Sequence, residues 1–393
     1  MTGPTPLAGI RVIEFTHMVM GPTVGHILAG LGAEVIRVEP IGGDQTRRLL
    51  GSGAGYFPMY NRGKQSICLN LKSASGVNIA QELCAGADVV VENFRPGALD
   101  RLGLGYEALS AANPRLIYAS EKGFLPGPYE QRTALDEVAQ MMGGLAYMTG
   151  PPGKPLRAGA SVIDVAGGMF GVIGILAALE ERHRTGAGQK IVASLFETTA
   201  YLVGQHMAQF AVTGKPAAPM PARVSAWAIY DVFETRDEPV FIGVVTDALW
   251  EKFCAMFALD ALWADETIRA NNQRVLARDR ILPTIRALIA GMTRAEVIAK
   301  LDGTGMPFAP IGRPEDLFED PHLATGGLEP VTLDNGTETR LPTIPLEMDG
   351  KRPGGATRLP LPGADARAVL AGLGYDETRI EALLASGAVE ESR

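Results

Sequence analysis

Asp164 lies in the run Gly159-Ala-Ser-Val-Ile-Asp-Val-Ala-Gly-Gly-Met169, a carboxylate among small and apolar residues. Flanked by glycines that let a bulky ligand approach the backbone, such a group can act as a nucleophile toward an acyl carbon. The same spacing also describes a helix N-cap, because an aspartate ahead of an apolar run satisfies free amides. Asp136, in Arg132-Thr-Ala-Leu-Asp-Glu-Val138, carries the same ambiguity between cap and acid/base partner. A second group is cationic. Arg62, Lys64, Lys72, Arg95 and Arg101 fall near expected strand ends in segments 61–66, 69–72 and 92–101. Each alone reads as a solvated surface charge, but together with exposed amides they suit a polyphosphate ligand. Of the five histidines, His17 follows a strand and is placed to meet a ligand; the others read as packing or surface residues, and none forms a metal pair. No Gly-x-Ser-x-Gly elbow is present. Arg182, His183 and Arg184 before Thr185-Gly-Ala-Gly188 read as a cationic helix end with a glycine stop.

The elements that must position these groups alternate. Segments 9–15, 33–38, 66–71, 87–92 and 116–120 read as short buried strands, with helices at 23–30 and 74–83. This pattern predicts an α/β fold with a mostly parallel, Rossmann-like sheet, and ligands at the carboxyl ends of its strands. The first turn, His17-Met-Val-Met-Gly-Pro-Thr23, has a single glycine followed by proline, so the dinucleotide fingerprint is missing. A helix is expected over 167–183, its apolar part 169–179 buried, then a strand at 190–193 and a long helix from about 196. Residues 216–222 look like a linker, 227–235 and 238–245 a hairpin, and 248–301 amphipathic helices. An irregular stretch at 350–356 precedes helices at 364–373 and 376–384. The partition is a large domain over 1–200, a linker over 201–224, a smaller α+β domain over 225–325, and 326–393 as linker and C-terminal part of the large domain.

Composition sets the partners. At 393 residues with 36 basic and 44 acidic side chains, the formal charge of -8 argues against nucleic acid, and an anionic ligand needs a local basic patch. Cys68, Cys84 and Cys254 lack metal-like spacing and suit reduced thiols in the cytoplasm. The N-terminus has no secretory pattern, and no apolar stretch reads as a membrane span.

Five motifs in register then carry a resemblance: Phe15-Thr-His-Met-Val-Met-Gly-Pro22, Val91-Glu-Asn-Phe-Arg-Pro-Gly-Ala-Leu-Asp-Arg-Leu-Gly103, Lys122-Gly-Phe124, Asp164 and Arg184-Thr-Gly-Ala-Gly-Gln189. In this order they resemble the class III coenzyme A transferases. The resemblance implies an interlocked, ring-like homodimer whose large domain uses both chain ends. It makes Asp164 the nucleophile. It carries coenzyme A contacts onto His17, Met18, Val19, Met20, Leu69 through Lys72, Asn93, Phe94, Ala98 and Arg101, to which Arg37, Lys122 and Arg132 are added. The coenzyme A thioester is then a substrate, and no tightly bound cofactor is expected. Amides near Gly143, Gly144 and Gly167 are the expected oxyanion donors. The family's fold also houses racemases, but the histidine they place before the equivalent of Asp136 is Leu135 here.

The long glycine-run loop of formyl-CoA transferases is missing between 205 and 245. The stretch 133–161 is most similar to the branch acting on C4 and C5 dicarboxylates, nearest to the mesaconyl-CoA C1–C4 transferases. The expected reaction is intramolecular C1-to-C4 transfer, with intermolecular transfer from succinyl-CoA to citramalate, malate or itaconate as the alternative. A dicarboxylate substrate requires a cation in the acyl pocket, for which Arg47, Arg48, Arg132 and Arg223 are candidates.

Overall fold

The computed structural model describes residues 3–223, 225–354 and 357–392. The chain forms two compact units, Met1–Pro221 with Pro321–Arg393, and Ala222–Asp320. In the first, β1 (Arg11–Phe15), α1 (Met20–Gly30), β2 (Glu34–Glu39), α2 (Tyr56–Tyr60), β3 (Gln65–Leu69), α3 (Ala74–Ala85), β4 (Val89–Glu92), α4 (Tyr106–Ala112) and β5 (Ile117–Lys122) follow in order. Then come α5 (Asp136–Met142), α6 (Leu145–Thr149), α7 (Val162–Thr185), β6 (Lys190–Ser194) and α8 (Leu195–Thr213).

The second unit is a three-stranded antiparallel sheet, β7 (Ile229–Phe233), β8 (Val240–Val244) and β9 (Phe308–Pro310), in that order. Its helices are α9 (Asp247–Met256), α10 (Asp260–Ala264), α11 (Asn271–Leu276), α12 (Arg278–Ala290) and α13 (Arg294–Leu301). Trp250, Phe253, Ile281 and Ile285 close its core. The chain returns to the first unit through a hairpin, β10 (Leu328–Thr332) and β11 (Glu338–Pro342), then α14 (Ala366–Gly372), α15 (Glu377–Ala385) and β12 (Val389–Glu390).

The large sheet runs β12-β3-β2-β1-β4-β5-β6, parallel except for β12. Alternate residues of each strand enter different cores: Ile13, Ile36 and Val90 pack with residues of α3, α14 and α15, while Val12, Val35 and Val89 pack with residues of α1 and α7. Burial on both faces is why these strands read as continuous apolar runs. The strand order reverses at β1, which lies between β2 and β4, so a crevice opens where their carboxyl ends diverge.

Several expectations change. The expected linker over 201–224 is helical through Thr213, because the 3.6-residue pattern of α8 continues to the Gly214 stop at φ 67°. Val224, and Gly355 and Ala356 of the irregular stretch, lie outside the described residues. Helix α7 starts five residues before the expected 167 and is buried on one side only, since Met169 and Ile173 are more than half exposed. By length and apolarity alone α7 could cross a membrane. Its inner face nevertheless carries the small residues that pack on α1 and β5.

Candidate active site

The site is assembled at the switch point. Asn93, just past β4, clasps the loop after β1: its Oδ1 accepts the His17 amide at 2.9 Å and its Nδ2 donates to the His17 carbonyl at 2.8 Å. His17 leans on Phe94, with ring centroids 5.4 Å apart, and burial lowers its pKa below the usual histidine value, favouring neutral imidazole. Met18 is held at φ 62°, a left-handed conformation rare for a side-chain-bearing residue, and its amide donates to Thr46 Oγ1 at 3.2 Å. Beneath the loop, Arg37 donates to Glu14 at 2.7 Å, Thr16 at 3.0 Å and Asp44 at 2.5 Å, and Lys64 donates to Glu14 at 2.9 Å. Two cations and two carboxylates thus cancel in the dry interior and fix the loop.

This loop divides two hollows. One is a cleft of about 840 Å³, lined by His17, Met18, Leu69, Asn70, Lys72 and Phe94 among others. The other is a smaller cavity of about 210 Å³ that shares His17 and Met18 and contains Asp164, Asp136, Tyr56 and Arg157. A long, jointed ligand can therefore lie in the cleft and pass its reactive end to Asp164.

Asp164 occupies the first turn of α7, and the helix is capped from elsewhere. Ser161 at the N-cap makes no side-chain bond; instead Asp136 Oδ2 accepts the Ile163 amide at 2.9 Å and the Asp164 amide at 3.2 Å. Asp136 Oδ1 accepts from Gln140 Nε2 at 2.6 Å and faces Arg157 Nη2 at 3.2 Å. Burial first, then the Asp136 charge, raise the Asp164 pKa to about 7, with Arg157 pulling the other way. A carboxylate of that basicity is a stronger nucleophile than an ordinary aspartate, yet is still half ionised near neutrality.

Glycines let α7 come this close. A Cβ at Gly168 would lie 2.7 Å from the Met20 carbonyl, and one at Gly171 would lie 2.3 Å from a Glu121 oxygen. The glycines after Asp164 thus admit α1 and β5, not a ligand.

The sequence profile of CoA-transferase family III matches residues 7–366. The chain belongs to CoA-transferase family III. It is similar to the succinyl-CoA:glutarate CoA-transferase of Mus musculus, 34% identical over 98% of this chain and 91% of that protein. It is also similar to the acetyl-CoA:oxalate CoA-transferase of Acetobacter aceti, 36% identical over 92% and 95%. The crystal structure of a CAIB/BAIF family protein from Brucella suis superposes with a TM-score of 0.83 at 32% identity, covering 94% of this chain and all of that one.

In this family III transferase the residues expected to meet coenzyme A separate into groups. His17, Met18, Leu69, Lys72 and Phe94 line the cleft. Met20, Asn93 and Lys122 line the Asp164 cavity, and all three strong contacts of the Lys122 ammonium go to Glu92 and the Phe94 carbonyl. Ala98 lines a separate polar hollow beyond Lys122, and Val19 is buried, its carbonyl taken by the Thr23 amide and hydroxyl, and lines neither the cleft nor the cavity. Arg101 and Arg132 are exposed, the latter stacked on Tyr129 at 5.0 Å; neither lines the cleft or the cavity.

Arg37 is a correction: it is fully buried and its guanidinium is taken by Glu14, Thr16 and Asp44, so it positions the loop and does not touch a ligand. The oxyanion donors are also corrected. The Gly143 amide already donates to Ala139 at 2.8 Å, Gly167 lies inside α7, and none of Gly143, Gly144 and Gly167 lines the cavity.

Two of the arginines expected in the acyl pocket are engaged elsewhere. Arg47 is bound to Glu39, Asp334 and the Phe57 ring, and Arg48 to the Gly42 and Gly43 carbonyls. Arg157, Tyr56 and Glu121 were not singled out by sequence, because only the tertiary fold brings them beside Asp164.

Proposed function

We propose that this transferase moves coenzyme A between carboxylates of C4 and C5 dicarboxylic acids through a covalent intermediate on Asp164. One observation carries the reading: a half-buried aspartate of raised basicity faces a small cavity that opens, past His17 and Met18, onto a cleft of coenzyme size. An Asp164 oxygen attacks the thioester carbonyl carbon, the C–S bond breaks, and a mixed anhydride and CoA thiolate result. The thiolate attacks the Asp164 carbonyl, giving an aspartyl-CoA thioester and freeing the first carboxylate. An acceptor carboxylate then attacks that thioester, and the two steps run in reverse. Every electron pair and charge is returned, so no external base is consumed. Leu135 lines the cavity where a racemase reading would require a base.

Within this reading we infer intramolecular transfer on mesaconyl-CoA, the diacid being retained and turned between half-reactions. The sequence similarity of 133–161 supports it; the relatives named for glutarate and oxalate support a diacid substrate only, since both are named for transfer between two acids. The test is incubation with mesaconyl-C1-CoA alone and with labelled free mesaconate. The C4 ester forming without label exchange supports the intramolecular route. Turnover only when a second acid is added moves the assignment to an intermolecular succinyl-CoA:dicarboxylate transferase, and the absence of a hydroxylamine-trappable Asp164 thioester would overturn both.

We also propose a homodimer. The outer faces of α7 and α8 expose Met169, Ile173, Tyr201, Met207, Phe210 and Val212, each more than half accessible, and clustered exposed apolar side chains mark interaction surfaces. Light scattering of the purified protein decides it, a monomeric mass being the contrary result.

A further inference from the structure

The acyl cavity holds three basic side chains: His17, Lys122 and Arg157. Burial keeps His17 largely neutral at physiological pH. Lys122 is consumed by two Glu92 oxygens at 2.6 and 2.8 Å and by the Phe94 carbonyl at 2.6 Å. Arg157 differs. Its Nε donates to the Ala158 carbonyl at 3.0 Å and its Nη2 to the Ala160 carbonyl at 3.1 Å, which pins the guanidinium on the turn leading into α7. Among the described residues its Nη1 edge has only a loose ion pair with Glu137 at 3.9 Å, and the Glu137 side chain is 61% exposed. Arg157 therefore presents a fixed cationic edge with donors to spare, in the same cavity as the nucleophile.

We propose that Arg157 is the receptor for the free carboxylate of the dicarboxyl substrate, an assignment that rests on the transferase reading above. The distal carboxylate docks on Nη1 and displaces the loose Glu137 contact, while the thioester end faces Asp164. Two features of the site support this. The cavity already contains the Asp136 and Asp164 carboxylates, so a further anion buried there without a cationic partner would be repelled. The guanidinium is also held in place before the substrate arrives, so little order is lost on binding. A monocarboxyl substrate gains nothing from this edge, which makes Arg157 a determinant of specificity distinct from the nucleophile.

Arg157 also faces Asp136 and lowers the Asp164 pKa, so its removal alone is ambiguous. The experiment compares acyl groups that differ by one charge, a C5 diacid and its half-methyl ester, with wild-type protein, Arg157→Gln and Arg157→Lys. Both are offered as acceptors and, so that a protein confined to intramolecular transfer is also read, as their CoA thioesters with hydroxylamine trapping of the Asp164 thioester. Arg157→Gln is expected to lower kcat/KM for the diacid about a hundredfold and for the half-ester less than about tenfold. Arg157→Lys, a point charge without the fork, should keep part of the preference. Half-ester turnover reports that each variant is folded.

Equal losses on both acceptors would overturn the proposal and leave Arg157 as a positioning residue acting through Asp136. If Arg157→Gln cannot be produced folded, the diacid-to-half-ester ratio of Arg157→Lys decides alone: an unchanged ratio overturns the assignment and a reduced one supports it. Wild-type protein that transfers coenzyme A to none of these acids and forms no trappable Asp164 thioester from their CoA esters would overturn the transferase reading itself, a result distinct from equal losses in the variants.

Discussion

Asp136→Asn should move the acid limb of the pH profile to lower pH. In the proposed mechanism Asp164 must be ionised to attack, and its pKa is about 7, raised by burial and by Asp136. The sign is fixed: protonation removes the nucleophile, so kcat/KM falls as pH drops below about 7, roughly tenfold per unit further down. Asp136 Oδ2 lies 3.2 Å from the Asp164 amide nitrogen. Taking about 6 Å between the two carboxylates and an effective dielectric of about 20, their repulsion is about 3 kcal/mol, an upper limit of about two pKa units. Burial is the larger cause, so a shift of about one unit is expected. Asparagine keeps an oxygen to cap α7 and also releases Arg157 from its ion pair, which acts in the same direction. The assay is kcat/KM from pH 5.5 to 8.5 with a C5 dicarboxyl-CoA, each protein normalised to its own alkaline plateau. At pH 6 the normalised rate of the variant should exceed that of the wild type roughly fivefold, even though its plateau falls with a less basic nucleophile. An acid limb that stays in place, or moves upward, would refute the claim that Asp136 poises Asp164.

Arg37→Met should cost about 3–5 kcal/mol of stability in denaturant unfolding, because Asp44 loses its cationic partner in the interior and Glu14 keeps Lys64 but loses Arg37; an unchanged midpoint would contradict the network. Glu121 is buried with both oxygens unpartnered among the described residues, and its pKa is pushed well above the ordinary 4.5 by desolvation and then by Glu92. Its proton is thus held more tightly in the folded chain, a contribution fully present below about pH 4.5 and lost as pH rises toward the folded value. Glu121→Gln should raise the thermal midpoint relative to wild type increasingly between pH 5 and 8, and a difference constant with pH would show that Glu121 does not titrate with folding.

The sheet was legible because its strands are apolar on both faces, and β1, β2, β4 and β5 fall close to where hydrophobic runs put them. The place of the site was legible for the same reason, since strand order determines where the carboxyl ends part. The start of α7 was not. Its cap comes from Asp136, 27 residues before Ile163, so no local pattern records it. The arginine proposed for the distal carboxylate carried no local signal for a related cause: Arg47 and Arg157 look alike in sequence, and only the fold binds one to Glu39 and leaves the other an open edge.

Arg37 carried a signal that could have been read. Glu14 and Arg37 each interrupt an apolar strand, and the β1–β2 register pairs them directly. Opposite charges at matching places in adjacent buried strands imply a buried ion pair before they imply a ligand site.

The same reasoning explains how one carboxylate serves both the helix and the chemistry. The N-terminal turn of α7 presents free amides and the positive end of its dipole, which by themselves would stabilise the Asp164 carboxylate and weaken it as a nucleophile. Asp136 occupies those amides and brings a negative charge, so Asp164 keeps its place on a rigid helix without the helix end depressing its basicity. Arg157 then limits the effect, because an Asp164 raised much further would be protonated and inert at neutral pH. In this arrangement the cap, the nucleophile and the arginine form one electrostatic unit. A change in any of the three should therefore appear first in the pH dependence of transfer, and only secondarily in the stability of the helix.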